Sequence, residues 1–412
     1  MNNSTGCGWD IVTVGDIADV QGGIQKQPIR RPVKNRYPFL RVGNVGRGNL
    51  HLQEIHEVEL FDGELAKLRL QSGDLLVVEG NGSPDEVGRA AMWRNKIENC
   101  VYQNHLIRVR PRGRIVPEFL EFLWNSEATV SQLRQIATTT SGLHTLSASK
   151  IRAIKLAIPS LDQQRNIVAV LNSMQLLRTQ RRKAISLLND LANSIFLDMF
   201  GDPATNPYDW PTRNLGSLAI VFSDGPYGSN LKSSHYVESG IRVVRLQNIG
   251  VGTFVDNDRA FITPEHFSLL KKHTCLPDDI LVATLGDPNI RACIQPQSIP
   301  VALNKADCVQ IRVNPELASA TFLCALLNQS SIKAMAQPLM LGQTRIRISM
   351  GRLRTLEVPV PPRDLQRQFS ARIEALSTLS VPHHLHVAEL DALFASVRYR
   401  AFRGELWDTS AA

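Results

Sequence analysis

The sequence predicts an α+β fold in which two pseudo-repeated mixed α/β domains are separated by two long antiparallel helices that form a coiled-coil spacer. Its 412 residues exceed the ~100 to 200 residues of a typical domain. The sequence repeats itself at an offset of roughly 200 residues, and each copy is followed by about 40 residues with helical apolar spacing. The predicted order is a first domain at 1–159, a helix at 160–202, a second domain at 203–361 and a second helix at 362–412.

The repeat consists of matched segments that occur in the same order in both copies. PFLRVGNVGRG at 38–48 matches RVVRLQNIGVG at 242–252, and SGDLLVVEGNG at 72–82 matches PDDILVATLGD at 277–287. The second pair has the pattern of a buried strand that is preceded by Asp and followed by Gly. The other matches are 9–23 with 210–225, 104–111 with 306–315, and 156–168 with 358–370. The series predicts a duplicated mixed α/β domain.

A long helix is predicted after each copy, at 161–200 and at 363–402. At ~1.5 Å per residue, 40 residues make a rod of about 60 Å, which is too long to pack on one domain. We therefore expect the two helices to pair with each other as an antiparallel coiled coil. The alternative is that both are ordinary amphipathic core helices. Pro382 is expected to kink or break the second helix near Val381.

The composition is that of a globular protein, with 43% hydrophobic and 20% charged residues. No run approaches the ~18 apolar residues of a membrane helix, and the first residues lack the basic and apolar regions of a leader, so we expect a soluble cytoplasmic protein. The six cysteines have neither CxxC nor zinc-ligand spacing. They are interpreted as reduced, mostly buried thiols.

These segments resemble the specificity subunits of type I restriction-modification enzymes over essentially the whole chain. Residues 158–203 are similar to the central conserved region of that family, and LFASVRYRAFRGEL at 393–406 is similar to its distal one. The resemblance implies that each variable domain is a target-recognition domain that reads one half of a split double-stranded DNA sequence, and that the paired helices set the gap between the halves. Pro382 and the HHLH that follows it depart from the family pattern.

The resemblance also implies the partners of the chain. Two modification subunits, which bind S-adenosylmethionine and methylate adenine, would dock on the long helices, and restriction subunits can join them. No cofactor is expected in this chain itself. The apolar residues assigned to the docking helices are Ile167, Leu171, Met174, Leu188 and Ile195 in the first helix, and Phe369, Ile373, Leu376, Leu390 and Phe394 in the second.

No catalytic motif is complete. Asn206-Pro207-Tyr208 is similar to the NPPY loop of adenine methyltransferases but lacks the second Pro, and GVG at 250–252 lacks the rest of GxGxxG. GxxxxGK[ST], GxSxG and HExxH are absent. The histidines of HHLH at 383–386 lack a carboxylate or Cys to complete a metal site. The sequence therefore predicts a non-catalytic binding protein.

The net charge of +8 agrees with a polyanionic partner but is weak evidence by itself. The first domain has 20 basic and 16 acidic residues and the second has 15 and 12, so these segments carry +4 and +3.

Lys and Arg bind phosphates, while Arg, Lys, Asn, Gln, Ser and Thr read base edges. The first-domain candidates are Lys26, Arg30, Arg31, Lys34, Arg36, Asn81, Ser83, Thr140, Ser141, His144 and Thr145. The second-domain candidates are Ser229, Asn230, Lys232, Asn289, Arg291, Gln343, Thr344, Arg345 and Arg347.

Other interpretations stay open at this point. The basic stretch at 25–36 could be an ordinary solvated loop. The chain could be a coiled-coil adaptor that binds no DNA, or a fused restriction enzyme with a catalytic site of its own. It could also be an orphan or phage-defence relative of the same family with different partners.

Overall fold

The computed structural model describes residues 8–140, 142–286, 288–342 and 346–406, with only the backbone of Thr140. The candidates Ser141, Gln343, Thr344 and Arg345 lie outside the described residues. The chain divides into two compact units. The first takes residues up to Gln180 and from His386 onward, and the second takes Arg181–Leu385. The first unit is therefore built from two separate stretches of the chain.

The first unit begins with a mixed α/β domain, followed by a long helix. Its strands are β1 Asp10–Thr13, β2 Ala18–Gly22, β3 Arg36–Leu40, β4 His56–Glu59, β5 Leu75–Val78, β6 Gly80–Asn81, β7 Ala90–Met92, β8 Val101–Tyr102, β9 Leu106–Pro111, β10 Thr138–Thr140, β11 Leu143–Thr145 and β12 Lys155–Ile158. Its helices are α1 Val14–Ile17, α2 Glu64–Leu68, α3 Pro117–Trp124, α4 Glu127–Ile136 and α5 Ala148–Arg152, followed by α6 Leu161–Phe200, which continues into the second unit from Arg181 onward.

The second unit has the same plan. Its strands are β13 Thr212–Asn214, β14 Ala219–Asp224, β15 Tyr236–Val237, β16 Ile241–Val244, β17 Phe261–Ile262, β18 Thr274–Cys275, β19 Ile280–Ala283, β20 Arg291–Ile294, β21 Ala302–Asn304, β22 Cys308–Val313 and β23 Glu357–Pro359. Its helices are α7 Pro264–Ser268, α8 Ala320–Leu327, α9 Ser330–Ala336 and α10 Met350–Arg354, followed by α11 Arg363–Ala401, which continues into the first unit from His386 onward.

The central sheets of the two units correspond strand for strand. The first has the order β2-β9-β5-β7 and the second β14-β22-β19-β20, and every pairing in both is antiparallel. The buried strands β5 and β19 are those predicted from the matched segments at 72–82 and 277–287. In each unit a short antiparallel pair, β1-β12 or β13-β23, precedes the long helix. The repeat and the predicted fold class are confirmed.

The same buried polar contacts recur in both copies. Asp74 is 1% exposed and pairs with Arg110 at 2.6 Å, and Asp279, also 1% exposed, pairs with Arg312 at 2.8 Å. A buried carboxylate without such a partner is costly, so each pair specifies how its sheet packs. Gly23 requires a residue without a side chain, because a Cβ there would lie 2.2 Å from the Tyr102 carbonyl oxygen.

The long helices α6 and α11 run antiparallel within each unit. In the first unit, the beginning of α6 packs with the end of α11, and Arg178 Nε lies 2.5 Å from Asp391 Oδ1. In the second unit, the end of α6 packs with the beginning of α11, where the ring of Phe196 lies 5.7 Å from that of Phe369. The predicted antiparallel pair of long helices is therefore present.

Pro382 lies inside α11, which is one continuous helix. Of the predicted kink or break near Val381, the break is wrong, because the helix continues through this position. Pro382 and Thr378 are both exposed, so water can bind the Thr378 carbonyl that lost its N–H partner. Apolar side chains on both sides of Pro382, such as Phe369 and Phe394, are buried in the cores and stabilise the helix.

The cysteine thiols agree with the sequence-based interpretation. The five in the described residues are free and buried, and burial raises the pKa of Cys100, Cys308 and Cys324 to about 12. Within the described ranges, no group of three or more His, Cys, Asp or Glu could hold a metal ion. No helix in the described part of the chain is long and apolar enough to cross a membrane.

Candidate nucleic-acid interface

The basic loop of the first unit, residues 25–36, is held in one conformation by two carboxylates. Glu59 accepts hydrogen bonds from the backbone N–H groups of Val33, Lys34 and Asn35, with oxygen distances of 2.6, 3.1 and 2.9 Å. Arg30 donates two parallel 2.8 Å hydrogen bonds to Glu64. These bonds hold the pKa of Glu64 at about 2, below its ordinary value of 4.5. The loop is therefore ordered before any ligand binds.

Four cations of the basic loop point to solvent, whereas the fifth does not. Lys26, Arg31, Lys34 and Arg36 are exposed, and the contact of Arg36 with Glu57 is a long one, 3.9 Å. These side chains can reach phosphates. The Arg30 guanidinium is 15% exposed and committed to Glu64, so we assign it to the loop framework and not to DNA.

A small polar sheet, β6-β11-β10, brings together the other first-unit candidates. Its pairing places Thr139, His144 and Asn81 side by side on adjacent strands. The His144 ring nitrogen lies 3.1 Å from the Thr139 hydroxyl, and Asn81 accepts a 2.9 Å hydrogen bond from the Ser83 N–H. The partners Thr138 and Thr145 extend the sheet by another pair of hydroxyls. In the described part of the predicted surface at 81–83 and 138–145, these residues therefore belong to one structure.

The turn at 103–105 joins the basic loop to this polar sheet. The Asn104 N–H bonds the Ile24 carbonyl at 2.8 Å, just before the basic loop. His105 follows, and its backbone carbonyl accepts from the Glu79 N–H at 3.0 Å, just before β6. The His105 ring nitrogen also lies 3.0 Å from the Glu79 carboxylate. Sequence reasoning missed this exposed pair, although its position in the repeat matches Asp307 in the second copy.

The second unit has a network of tyrosine, arginine and carboxylates at the equivalent place. The Tyr227 hydroxyl donates to Asp224 at 2.7 Å and accepts from Arg347 at 2.9 Å. Arg347 Nε lies 2.8 Å from Asp307 Oδ1. Burial and the Asp224 hydrogen bond raise the pKa of Tyr227 to about 12. Leu341 and Arg347 form an isolated antiparallel β-bridge. Through Arg347, the network therefore connects the predicted loop at 227–232 to this bridge.

The candidates in the second unit fall into two groups. Ser229, Asn230 and Lys232 are exposed on the loop, and the Arg347 side chain keeps 42% of its surface open. These groups can reach DNA. Asn289 is 8% exposed, and its side chain is bonded to the Ile346 carbonyl and to its neighbour's N–H.

Arg291 is also part of the framework. Its guanidinium donates to the carbonyls of Ile249, Pro288 and Leu246 at 2.6, 3.1 and 3.0 Å. Arg89 in the first unit makes the equivalent bonds to Val45 and Val42. Since these donors are already used within the chain, we assign Arg291 and Asn289 to the fold and not to base reading.

The residues predicted to dock partners are mostly internal. Ile167, Leu171, Met174, Phe369 and Phe394 are buried in the two cores, so the prediction that they contact a partner is wrong for these five. The other five, Leu188, Ile195, Ile373, Leu376 and Leu390, are half-buried. The helical pattern identified the inward face of each helix. The spacing of apolar residues could not reveal that other parts of the same chain, and not a partner protein, cover this inward face.

Other apolar side chains of the long helices face solvent. In the first unit these are Val170, Leu176, Leu177, Leu393 and Tyr399, and in the second they are Leu187, Leu191, Leu197, Leu379, Val381 and Leu385, all between 36% and 60% exposed. Exposed apolar side chains that lie together on a surface often mark interaction sites. These outward side chains replace the buried five as docking candidates.

Comparison with known proteins identifies a domain in the first half of the chain. Residues 7–187 match the model of the type I restriction modification DNA specificity domain. The specificity subunit of the EcoKI type I restriction enzyme from Escherichia coli K12 is 26% identical over 237 residues, 56% of this chain and 50% of that protein. A putative MjaX specificity subunit from Methanocaldococcus jannaschii is 23% identical over 392 residues, 90% of this chain and 87% of that protein.

Solved structures share the fold over the full length. The type I restriction-modification S subunit from M. genitalium aligns with a TM-score of 0.52 and 14% identity, covering 100% of this chain and 98% of that one. A chain from a structure concerned with assembly and conformational transition of a type I R-M system aligns with a TM-score of 0.51 and 16% identity, covering 97% and 98%.

Proposed function

Since residues 7–187 match the type I restriction modification DNA specificity domain, we propose that the chain is a specificity subunit of that family and directs a partner adenine methyltransferase to a bipartite DNA target. Each unit reads one half-site, and the length of α6 and α11 sets the gap between the halves. The methyl transfer and the S-adenosylmethionine belong to two modification subunits. Restriction subunits join the same complex when DNA is cut.

The observation that carries this proposal is the repetition of one framework under two different surfaces. The buried pairs Asp74–Arg110 and Asp279–Arg312 recur in the two units. The polar surface groups differ, with the exposed Lys34 and the half-buried His144 in one unit and Arg347, whose side chain is 42% exposed, in the other. A constant framework with variable polar loops is what two different half-sites require, because base edges are read by side chains and not by the fold.

The docking part of the proposal depends on the exposed apolar side chains of the helices. Leu176 and Leu393 in the first unit are 58% and 52% exposed, and Leu187 and Leu385 in the second are 57% and 60% exposed. Both units present such side chains, so we propose that each takes one modification subunit. Replacing Leu187 and Leu385 with Asp is expected to release one of two bound subunits, as measured by mass photometry.

The decisive experiment is a methylation map. The genes beside the one for this chain are searched for an adenine methyltransferase, which is co-expressed with the chain in a host without DNA methylation, and N6-methyladenine is located at base resolution. A split motif that appears only when both genes are present supports the proposal and gives both half-sites and the gap. Methylation without this chain contradicts it, and methylation by this chain alone favours a fused enzyme. A complex that binds no DNA favours the adaptor.

A charge test addresses the phosphate contacts separately. Arg31→Ala with Lys34→Ala is expected to weaken binding to all duplexes and to lower the slope of log Kd against log salt by about 2, because each removed contact releases about one counterion less. Arg165→Ala is the matched control, since Arg165 is an exposed cation on α6. An unchanged slope in the double variant would remove the basic loop from the interface.

A further inference from the structure

The basic loop carries two apolar side chains at strongly exposed positions. Ile29 is 69% exposed and Val33 is 68% exposed, whereas most aliphatic side chains of this unit are buried. Exposed cations surround them, at Lys26, Arg31 and Lys34. A loop that only needed to be soluble would place polar residues here, so the two aliphatic groups require an explanation.

The backbone beneath these side chains is rigid. The Val33 N–H donates a 2.6 Å hydrogen bond to Glu59, and the ion pair of Arg30 with Glu64 fixes the residue next to Ile29. Both carboxylates are thereby compensated by N–H groups or by a guanidinium. The field at the tip of the loop is therefore set mainly by its free cations, and little conformational entropy remains to be lost on binding.

The second unit shows that the fold does not need this arrangement. Its equivalent loop exposes Ser229, Asn230 and Lys232, while Leu231 turns inward and is only 6% exposed. The same framework thus builds the loop with a polar tip and a buried aliphatic residue. The second unit exposes one aliphatic side chain in the matching segment, Val237, which is 38% exposed. The strongly exposed pair of aliphatic side chains is therefore particular to the first-unit loop, which points to its ligand and not to its stability.

We propose that Ile29 and Val33 contact the C5-methyl groups of thymines in the half-site read by the first unit, while Lys26, Arg31 and Lys34 bind the flanking phosphates. The inference rests on the proposed function. The cations select a polyanion over an apolar protein surface. Within the major groove of DNA, the thymine methyl is the apolar group at the base edges, so it is the partner that aliphatic side chains fit.

The test combines a change in the protein with a change in the DNA. The complex obtained in the methylation experiment is titrated with its mapped duplex and with duplexes in which thymine is replaced by uracil in one half-site at a time. Uracil removes only the methyl group. In the half-site that the first unit reads, we expect uracil to weaken binding roughly fourfold for each methyl group that Ile29 or Val33 contacts. In the other half-site, any effect of uracil should not depend on Ile29 and Val33.

The variant Ile29→Ser with Val33→Ser is expected to bind the thymine duplex about tenfold more weakly, with an unchanged salt slope because no charge is altered. It should lose nothing further when uracil replaces thymine, since both changes remove the same contact. Leu269→Ser, which removes a 76% exposed leucine of the second unit, is the control and should behave like the wild type.

Three results would overturn the inference. The first is that the serine variant binds DNA as tightly as the wild type does. The second is that uracil weakens binding equally in the variant and in the wild type. The third is that the variant binds DNA normally but loses its methyltransferase partner, which would make the tip a protein-docking site. Failure of the wild-type complex to bind any mapped duplex would instead contradict the proposed function itself.

Discussion

Two glutamines hold the beginnings of the long helices. Gln164 is completely buried, accepts a 2.8 Å hydrogen bond from the Val116 N–H and donates to the Pro159 carbonyl. Gln366 makes the same contacts with the Ser319 N–H and the Pro361 carbonyl. Each side chain ties the first turn of a helix to the loop before α3 or α8, so it fixes where the helix leaves its domain.

Gln164→Ala is expected to lower the free energy of unfolding of the first unit by about 1–3 kcal/mol, because the half-buried Val116 N–H and the Pro159 carbonyl lose the partner that the buried Gln164 side chain supplies. The measurement is urea unfolding followed by hydrogen exchange of the first unit. Gln175→Ala, at an exposed position of α6, is the control and should change little. An equal effect of both variants would mean that the loss reflects helix propensity alone.

The Arg30–Glu64 pair predicts a pH dependence. Since the pKa of Glu64 is lowered to about 2 from about 4.5, its stabilisation is fully present above pH 4.5 and is lost as the pH falls towards 2. The free energy of unfolding of the wild type should exceed that of Glu64→Gln by about 1–3 kcal/mol at pH 7. The difference should shrink below pH 4.5 in urea titrations. A difference that does not vary with pH would contradict the assigned pKa.

For single residues, the sequence predicts which side chains are exposed better than it predicts which partners they bind. It identified Lys34 and Arg36 as exposed cations, and the structure places them so. It also selected Arg30 and Arg291, which are bound within the fold by groups distant in sequence, Glu64 and the Ile249 carbonyl. A side chain's hydrogen-bond partners depend on tertiary contacts, and the local pattern that selected these arginines contains no information about them.

Among the elements, α11 is a long helix that tolerates a proline. Pro382→Ala restores one backbone hydrogen bond at an exposed site and should raise the free energy of unfolding of the second unit by about 1–3 kcal/mol. Circular dichroism during urea unfolding measures this effect. Glu389→Ala, another exposed position of α11, controls for helix propensity. A lower stability of the alanine variant would indicate that the helix bends at Pro382 to maintain its packing.

Elements were predictable where the signal was periodic. The strands β5 and β19 and the helices α6 and α11 follow from apolar spacing, and their equivalence follows from the repeat. The polar sheet β6-β11-β10 was not predicted as a sheet, because its strands are two or three residues long and pair across about 60 residues of chain. Such short strands are stabilised by their tertiary setting, which a local pattern does not contain.

For the whole molecule, the first unit depends on the end of the chain. Phe394 is buried in its core, and the ring of Phe402 lies 5.6 Å from that of Phe119. Phe394→Ala is expected to destabilise the first unit by about 3–5 kcal/mol and to leave hydrogen exchange in residues 203–361 nearly unchanged. Leu393→Ala, an exposed neighbour, should have little effect. Equal loss of protection in both units would mean that they unfold as one cooperative body.

The position of Phe394 and Phe402 in the first unit also has a consequence for synthesis. At ~5–20 residues per second, the ribosome needs roughly ten to fifty seconds to proceed from residue 180 to residue 406. During that time the nascent first unit lacks the end of α11, which shares its core with Ile167 and Leu171. The second unit, residues 181–385, is synthesised in the same interval and is complete before the first. The unit whose synthesis begins first therefore completes its core last, and in the interval the apolar residues that the end of α11 contacts lack part of their cover.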